Sequence, residues 1–451
     1  MRKVNGGKMM KLKILIIFGV CLIMFSTGFS EKIALVLSGG GGRGAYEVGV
    51  WKAVMDLGEE IGGVYGTSVG AINGAGVAMG EFELARKLWL TATYEDIMKI
   101  SPNIRPLFEG DIKNLKLSSI AEAVKMLFEE SGIDVSPLRK KLSEIISEEK
   151  IRSSPIDYGL VAYSVSSLSP VMLYIDDIPE GMLIDYILAS ANFPVFKREN
   201  IGGAKFIDGG VYANIPVEMA IKKGFKKIVV VDIGTYGIVD ILNLIKGFTK
   251  SDEEIIYIKP REYYGGILTF DPEVSKKYMA EGYLDTLKAY GILHGNVYYI
   301  YPGEDLIGKF FMSLDDEQCA QAMAILEIKP LDDAPVAYHY YRQVLPYLES
   351  TFKSFNALPR KTCEAVLENI ASYLEINKLR PYSIEELFKT IVNSDEPQTT
   401  RSTLLKLTVG KKYDMLIEFL KFIWNNSKHD VEISEDYKRI RSSFESLITS
   451  P

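Results

Sequence analysis

From Lys32 onward, short continuous apolar runs alternate with stretches of helical spacing. Ile33-Ala34-Leu35-Val36-Leu37 is apolar throughout, the pattern of a parallel strand buried on both faces. It runs into Ser38 and the glycines Gly39–Gly44, and Ala45–Leu57 then takes helical spacing through Val48, Trp51, Val54 and Met55. Strand, glycine loop and helix open a βα unit. A second strand–turn–helix is predicted around Gly66-Thr67-Ser68-Val69-Gly70. Residues 81–150 read as mostly helical, with Leu142, Ile145 and Ile146 on one face. Further strands are predicted at 159–164, 171–175, 227–232 and 297–301. The alternation predicts an α/β fold with a mostly parallel central sheet flanked by helices.

After about residue 306 strand signals stop. The segments 317–326, 336–348, 360–374, 384–392 and 415–424 carry helical spacing with charged faces. They predict an all-helical C-terminal domain over 306–451, following a first domain over 31–305.

The first thirty residues differ from both. Arg2, Lys3, Lys8, Lys11 and Lys13 precede an apolar run from Ile14 to Phe25, and Gly28-x-Ser30 supplies a small-residue exit. This is the pattern of a signal peptide over 1–30 and predicts export, periplasmic, outer-surface or secreted. The run falls short of the ~20 apolar residues a span needs, and an uncleaved N-terminal anchor is the alternative. Met9-Met10 is a second candidate start.

Composition narrows the function classes. Of 451 residues, 52 are Lys or Arg and 59 are Asp or Glu, for a net charge of −7. Residues 1–30 hold five basic and no acidic side chains, so the remainder carries −12. That balance argues against a nucleic-acid binder and predicts no attraction to anionic membranes. Three cysteines and three histidines, His294, His339 and His429, leave little material for a disulfide scaffold or a metal site. No metal and no cofactor are predicted. Cys319 and Cys363 have the option of pairing in an oxidising compartment.

Three motifs carry candidate chemistry. Gly66-x-Ser68-x-Gly70 has the form of a nucleophile elbow, whose strained serine turn needs glycine on both sides. Gly39-Gly40-Gly41-Gly42-Arg43-Gly44 aims backbone N–H groups into a cavity, as an oxyanion hole requires. The same loop fits a dinucleotide fingerprint, Gly39-x-Gly41-x-x-Gly44, but no acidic residue closes the second strand. Phe206-Ile207-Asp208-Gly209-Gly210 reads as an irregular loop presenting one carboxylate.

In this order, with Ala189-Ser190 and Pro194 before the aspartate, the motifs resemble those of the patatin-like phospholipase family. The resemblance covers roughly 32–300. Ser38 departs from the plant members, which carry Asp before the glycines. The resemblance implies a patatin-like α/β sandwich and a phospholipase A-type lipid acyl hydrolase using a Ser–Asp dyad without a metal. It implies Ser68 as nucleophile, Asp208 as its base and the N–H groups of Gly40, Gly41 and Gly42 as the oxyanion hole. Gly39, Arg43, Gly44, Gly66, Gly70, Gly209 and Gly210 would support the motifs, Arg43 holding the loop or a lipid head. A free serine hydroxyl needs such a base. Burial beside Phe206 and Ile207 would lift the aspartate above its usual ~3.9 and toward that task.

Two alternatives stay open. Ser68, Asp208 and His294 follow the chain order of a Ser-Asp-His carboxylesterase. A non-catalytic lipid or nucleotide binder would use the glycine loop alone. The expected partner is a lipid or phospholipid at a membrane or micelle surface; oligomeric state is not legible. Trp89, Leu90, Ile97 and Met98 belong to an insert around Leu88–Leu138 suited to lining an acyl channel.

Overall fold

The structure, a computed structural model, describes residues 31–100, 133–164, 169–192, 200–201, 204–208, 215–234, 252–331, 334–354, 357–394, 410–427 and 432–449. The N-terminal segment 1–30, Gly209, Gly210 and His429 lie outside them.

Strand β1 (Ile33–Leu37) is the centre of the sheet because every one of its residues is buried. Parallel neighbours flank it: β2 (Ile61–Thr67) on one side and β7 (Lys227–Val231) on the other. Outward from β7 lies parallel β8 (Glu254–Ile258), and outward from β2 lies parallel β3 (Asp157–Ser164). Strand β3 also pairs antiparallel with β4 (Ser169–Tyr174) and β6 (Ala204–Asp208), and β5 (Asn200–Ile201) joins β6. The sheet is therefore mixed but mostly parallel.

Side chains alternate across β1. Ile33, Leu35 and Leu37 enter the main core with α1 (Ala45–Asp56), α2 (Val69–Met79) and the long α9 (Pro272–Ala289). Ala34 and Val36 face a smaller cluster with α8 (Val217–Lys222). Between α2 and α8 in sequence come α3 (Phe82–Thr91), α4 (Tyr94–Ile97), α5 (Ser136–Ile145), α6 (Glu148–Arg152) and α7 (Leu183–Ser190). Helices α1 and α9 cross backbone to backbone. A Cβ on Gly49 would stand 2.0 Å from the Met279 carbonyl oxygen, and one on Gly282 would stand 2.1 Å from that of Tyr46.

The C-terminal part builds a second core from residues between Tyr298 and Ile423. It is helical, with α10 (Leu306–Phe311), α11 (Asp316–Ile325), α12 (Val336–His339), α13 (Leu345–Phe352), α14 (Pro359–Tyr373), α15 (Ile384–Val392) and α16 (Lys411–Asn426). Among the described residues the exception is the short β10 (Pro381–Ser383), parallel to β9 (Tyr299–Tyr301). The last helix, α17 (Glu435–Ile448), returns to the first core, where Phe444 and Leu447 are buried with Tyr283. Arg86 reaches back to its C-terminal carbonyls, donating to Leu447 at 3.3 Å and Thr449 at 2.9 Å. Cys319 and Cys363 are buried free thiols. Among the described residues no helix is long and apolar enough to cross a membrane.

Candidate active site

Ser68 occupies the single residue between β2 and α2, with φ 55° and ψ −124°. Positive φ is costly for a residue with a side chain, so the surroundings must impose it. A Cβ at Gly66 would lie 2.2 Å from the Gly70 carbonyl oxygen, and one at Gly70 would lie 2.5 Å from that of Leu37. Strand and helix thus approach each other, and β1, through backbone alone. A strut fixes the turn: Ser68 N–H donates to Ser190 Oγ at 2.9 Å, and Ser190 Oγ donates to the Val161 carbonyl at 2.5 Å. The role of Ser190, at the end of α7, is visible only in three dimensions.

The glycine loop leaves β1 beside this turn. Ser38 ties it to β7, its Oγ accepting the Ile233 N–H at 2.9 Å. Gly39, Gly40, Gly41 and Ser68 all line one cavity. The N–H groups of Gly40 and Gly41 have no acceptor among the described residues. Gly42 corrects the expectation drawn from its place in the run. Its N–H donates to the Ile267 carbonyl at 2.8 Å, and Gly42 is not part of the cavity wall. Gly41 takes φ +57°, and a Cβ there would collide with the same carbonyl oxygen at 1.9 Å. The segment carrying Ile267, Leu268 and Phe270 is a strap over the loop, a feature the motif reading lacks. Tyr278 pins it by accepting from the N–H groups of Tyr264 and Gly265.

Arg43 turns away from the cavity. Its guanidinium donates to the Gly234 carbonyl at 2.6 Å and the Ile233 carbonyl at 3.3 Å, and lies 4.3 Å from the Tyr263 ring centroid. It holds the loop that follows β7.

Asp208 ends a strand rather than lying in an irregular loop. Pairing register decides where. Residues Gly159, Leu160 and Val161 of β3 pair with β2 and β4 at once, so those two strands take opposite edges. Residues 162–164 pair with β4 and β6 at once, so β6 shares the edge of β2. Thr67, the last residue of β2, stands opposite Val161, and Asp208, the last of β6, stands opposite Ala162. The two strands meet end to end, which sets the backbone of Asp208 beside the turn that holds Ser68.

The cavity at Ser68 has a volume of about 390 Å³ and follows α2 from Val69 to Met79, between α3 and α5. Ile72, Leu88, Leu142 and Ile146 represent its largely apolar wall. Asp96 and Lys141, ion-paired at 3.2 Å, lie on its charged border. Among the described residues no histidine lines it. His294 instead bridges to Ile300 and sets its Nδ1 2.9 Å from Lys361 Nζ on α14. His339 bonds Gln343 inside the second core's helices. Among the described residues, no group of three or more His, Cys, Asp or Glu could hold a metal ion.

Similarity to known proteins falls on this half of the chain. Residues 35–221 match the family described as Patatin-like phospholipase. The chain is 25% identical over 223 residues to patatin-like phospholipase domain-containing protein 7 of Rattus norvegicus, covering 47% of this chain and 14% of the relative. It is 23% identical over 215 residues to the human domain-containing protein 6, covering 46% and 14%. The match thus spans about a seventh of those relatives' length. VipD from Legionella pneumophila aligns over 89% of this chain and 93% of that one, at 14% identity and a TM-score of 0.35. That likeness is too loose to bear on the site. The likeness to the patatin-like phospholipase family thus covers residues 35–221 of the chain.

Proposed function

We propose that the protein is a lipid acyl hydrolase of the phospholipase A type, cleaving fatty-acyl esters with a Ser68–Asp208 dyad. The observation that carries this reading is the end-to-end meeting of β2 and β6 on one edge of β3, beside a strained serine and an apolar cavity. Ser68 Oγ adds to the ester carbonyl carbon as its proton passes to the Asp208 carboxylate. The N–H groups of Gly40 and Gly41 meet the charge that develops on the carbonyl oxygen. The alcohol leaves with the proton held by Asp208, and the acyl group stays on Ser68. Water then adds to the acyl carbon, giving a proton to Asp208. The fatty acid departs as that proton returns to Ser68 Oγ.

The apolar wall supports an acyl chain over a nucleotide, since each buried methylene contributes roughly 0.8 kcal/mol. The charge pattern of residues 1–30 supports export. Sequencing the mature N-terminus tests cleavage: a start after Ser30 agrees with a signal peptide, and an intact Met1 or Met9 would leave the uncleaved anchor.

The principal test is fatty-acid release from mixed phospholipid micelles. Ser68→Ala and Asp208→Asn should each lose about 10³-fold or more, while His294→Ala turns over. An inactive His294→Ala would put the Ser-Asp-His triad in place of the dyad. A folded wild type that releases nothing from any ester would leave the binder.

A further inference from the structure

Asn73 lies on α2, the helix that begins at Ser68, and is buried at 5% exposure. Its Nδ2 donates to the Gly44 carbonyl at 2.9 Å and to Glu47 Oε2 at 2.7 Å. Its Oδ1 accepts from Trp89 Nε1 at 3.0 Å. The amide has only one workable orientation, because a carbonyl can only accept and an indole N–H can only donate. One side chain therefore joins the helix behind Ser68, the last glycine of the loop, the first turn of α1 and a wall of the cavity. Both Asn73 and Trp89 line that cavity.

The joint leaves no slack. A Cβ on Gly44 would stand 2.5 Å from Val69 Cγ2, 2.7 Å from Trp89 Cζ2 and 3.1 Å from Asn73 Nδ2. Glu47 is 1% exposed, and its Oε1 is buried without a hydrogen-bond partner among the described residues. Burial pushes its carboxyl well above the ordinary value, against the hydrogen bond from Asn73 that lowers it. A buried polar atom left unsatisfied is costly, and such costs gather where geometry is being enforced.

We propose that Asn73 is a positioning residue: it clamps the glycine loop to the nucleophile helix and so sets the distance from the Gly40 and Gly41 N–H groups to Ser68. This rests on the acyl-hydrolase reading of Ser68 and the loop. Productive geometry has to hold within about 0.5 Å, and a misplacement near 1 Å costs about 10²-fold in rate. The apolar wall binds the acyl chain whether or not the loop is clamped. Loosening the clamp therefore lowers kcat and spares KM.

Asn73→Asp tests the clamp at constant size. It keeps the acceptor for Trp89 and puts an acceptor where the Gly44 carbonyl needs a donor. Asn73→Ser, too short to reach either Gly44 or Glu47, serves if the aspartate variant does not fold. The full chain is assayed with a short-chain p-nitrophenyl ester, and rates are normalised to sites titrated with a fluorophosphonate. Either variant should lose about 10- to 100-fold in kcat per titrated site, with KM within about twofold of wild type. Trp89→Phe, which removes one donor and keeps a ring in the wall, should lose less, about threefold to tenfold. A lower melting temperature with kcat per titrated site intact would make Asn73 merely structural and overturn the clamp. A raised KM with unchanged kcat would overturn it too, by assigning Asn73 to substrate binding. A wild type inert toward every ester, or a Ser68→Ala variant as active as wild type, overturns the hydrolase reading and the clamp with it.

Discussion

The Ser68 turn with its glycine loop and the cavity that leads away from them are built by opposite means. At the turn and loop, backbone touches backbone: Gly66 against Gly70, Gly70 against Leu37, Gly41 against Ile267. No side chain could enter those contacts without moving a strand or helix. Along the cavity, α2, α3 and α5 hold each other apart with aliphatic side chains that are exchangeable one for another at moderate cost. The contrast divides the work. At the turn and loop, glycines let backbones meet and a few polar side chains, Ser190 and Asn73 among them, tie them in place, while apolar side chains shape the cavity.

The sharpest way to break this division is Gly66→Ala. Its Cβ at 2.2 Å from a carbonyl oxygen has no flexible neighbour to displace. The variant should lose roughly 3 kcal/mol or more in urea unfolding, or fail to fold. Gly76→Ala, on α2, meets only Ala85 and Trp51 at 3.7 Å and 3.8 Å, and should instead gain up to about 1 kcal/mol. Equal behaviour of the two would show that the elbow glycines are ordinary helix and strand glycines.

The cavity responds to size. The 11 residues of α2 advance about 16 Å. A carbon chain with bonds near 1.5 Å rises about 1.25 Å per methylene, so about twelve methylenes fit alongside. Ile146→Trp narrows the wall at a site away from the glycine loop. In a p-nitrophenyl ester series it should cut kcat/KM for dodecanoyl and longer chains about tenfold while sparing butyryl. A uniform loss across the series would place Ile146 in structure rather than in chain selection.

How much of this was legible follows the same line. The strand before the loop, the elbow and the first two helices stand out because continuous apolar runs end abruptly in glycine. Within Gly39–Gly42 all residues look alike, and which N–H faces the cavity depends on the Ile267 carbonyl, which reaches Gly42 from a distant strap. Strand β6 is hidden because its five residues end at Asp208, where the following glycines argue for a turn. Strand β8 is hidden as well, since Glu254-Ile255-Ile256-Tyr257-Ile258 lies at the sheet's edge and lacks the clean buried run of β1. The helical spacing that predicts the C-terminal elements does not say that α17 returns to the first core.

A further prediction concerns the strap's anchor. Glu281 Oε1 accepts the N–H groups of Arg261 and Glu262, where the strap begins. Burial, with Asp285 adding to it, pushes the Glu281 carboxyl up to about 8. A raised value means that the folded state holds the proton more tightly than the unfolded one. The contribution is full below the ordinary 4.5 and is lost as pH climbs through about 8. The melting temperature should therefore fall between pH 5 and 9, and Glu281→Gln should flatten that slope. An unchanged slope in the variant would assign the pH dependence to other groups.

Covalent labelling tests whether Ser68 is a nucleophile activated by Asp208. The full chain is treated with a fluorophosphonate, and the modified peptide is identified by mass spectrometry. One adduct is expected, on Ser68, forming about 10³-fold more slowly in Asp208→Asn. An adduct on another residue, or an equal labelling rate in Asp208→Asn, would contradict it.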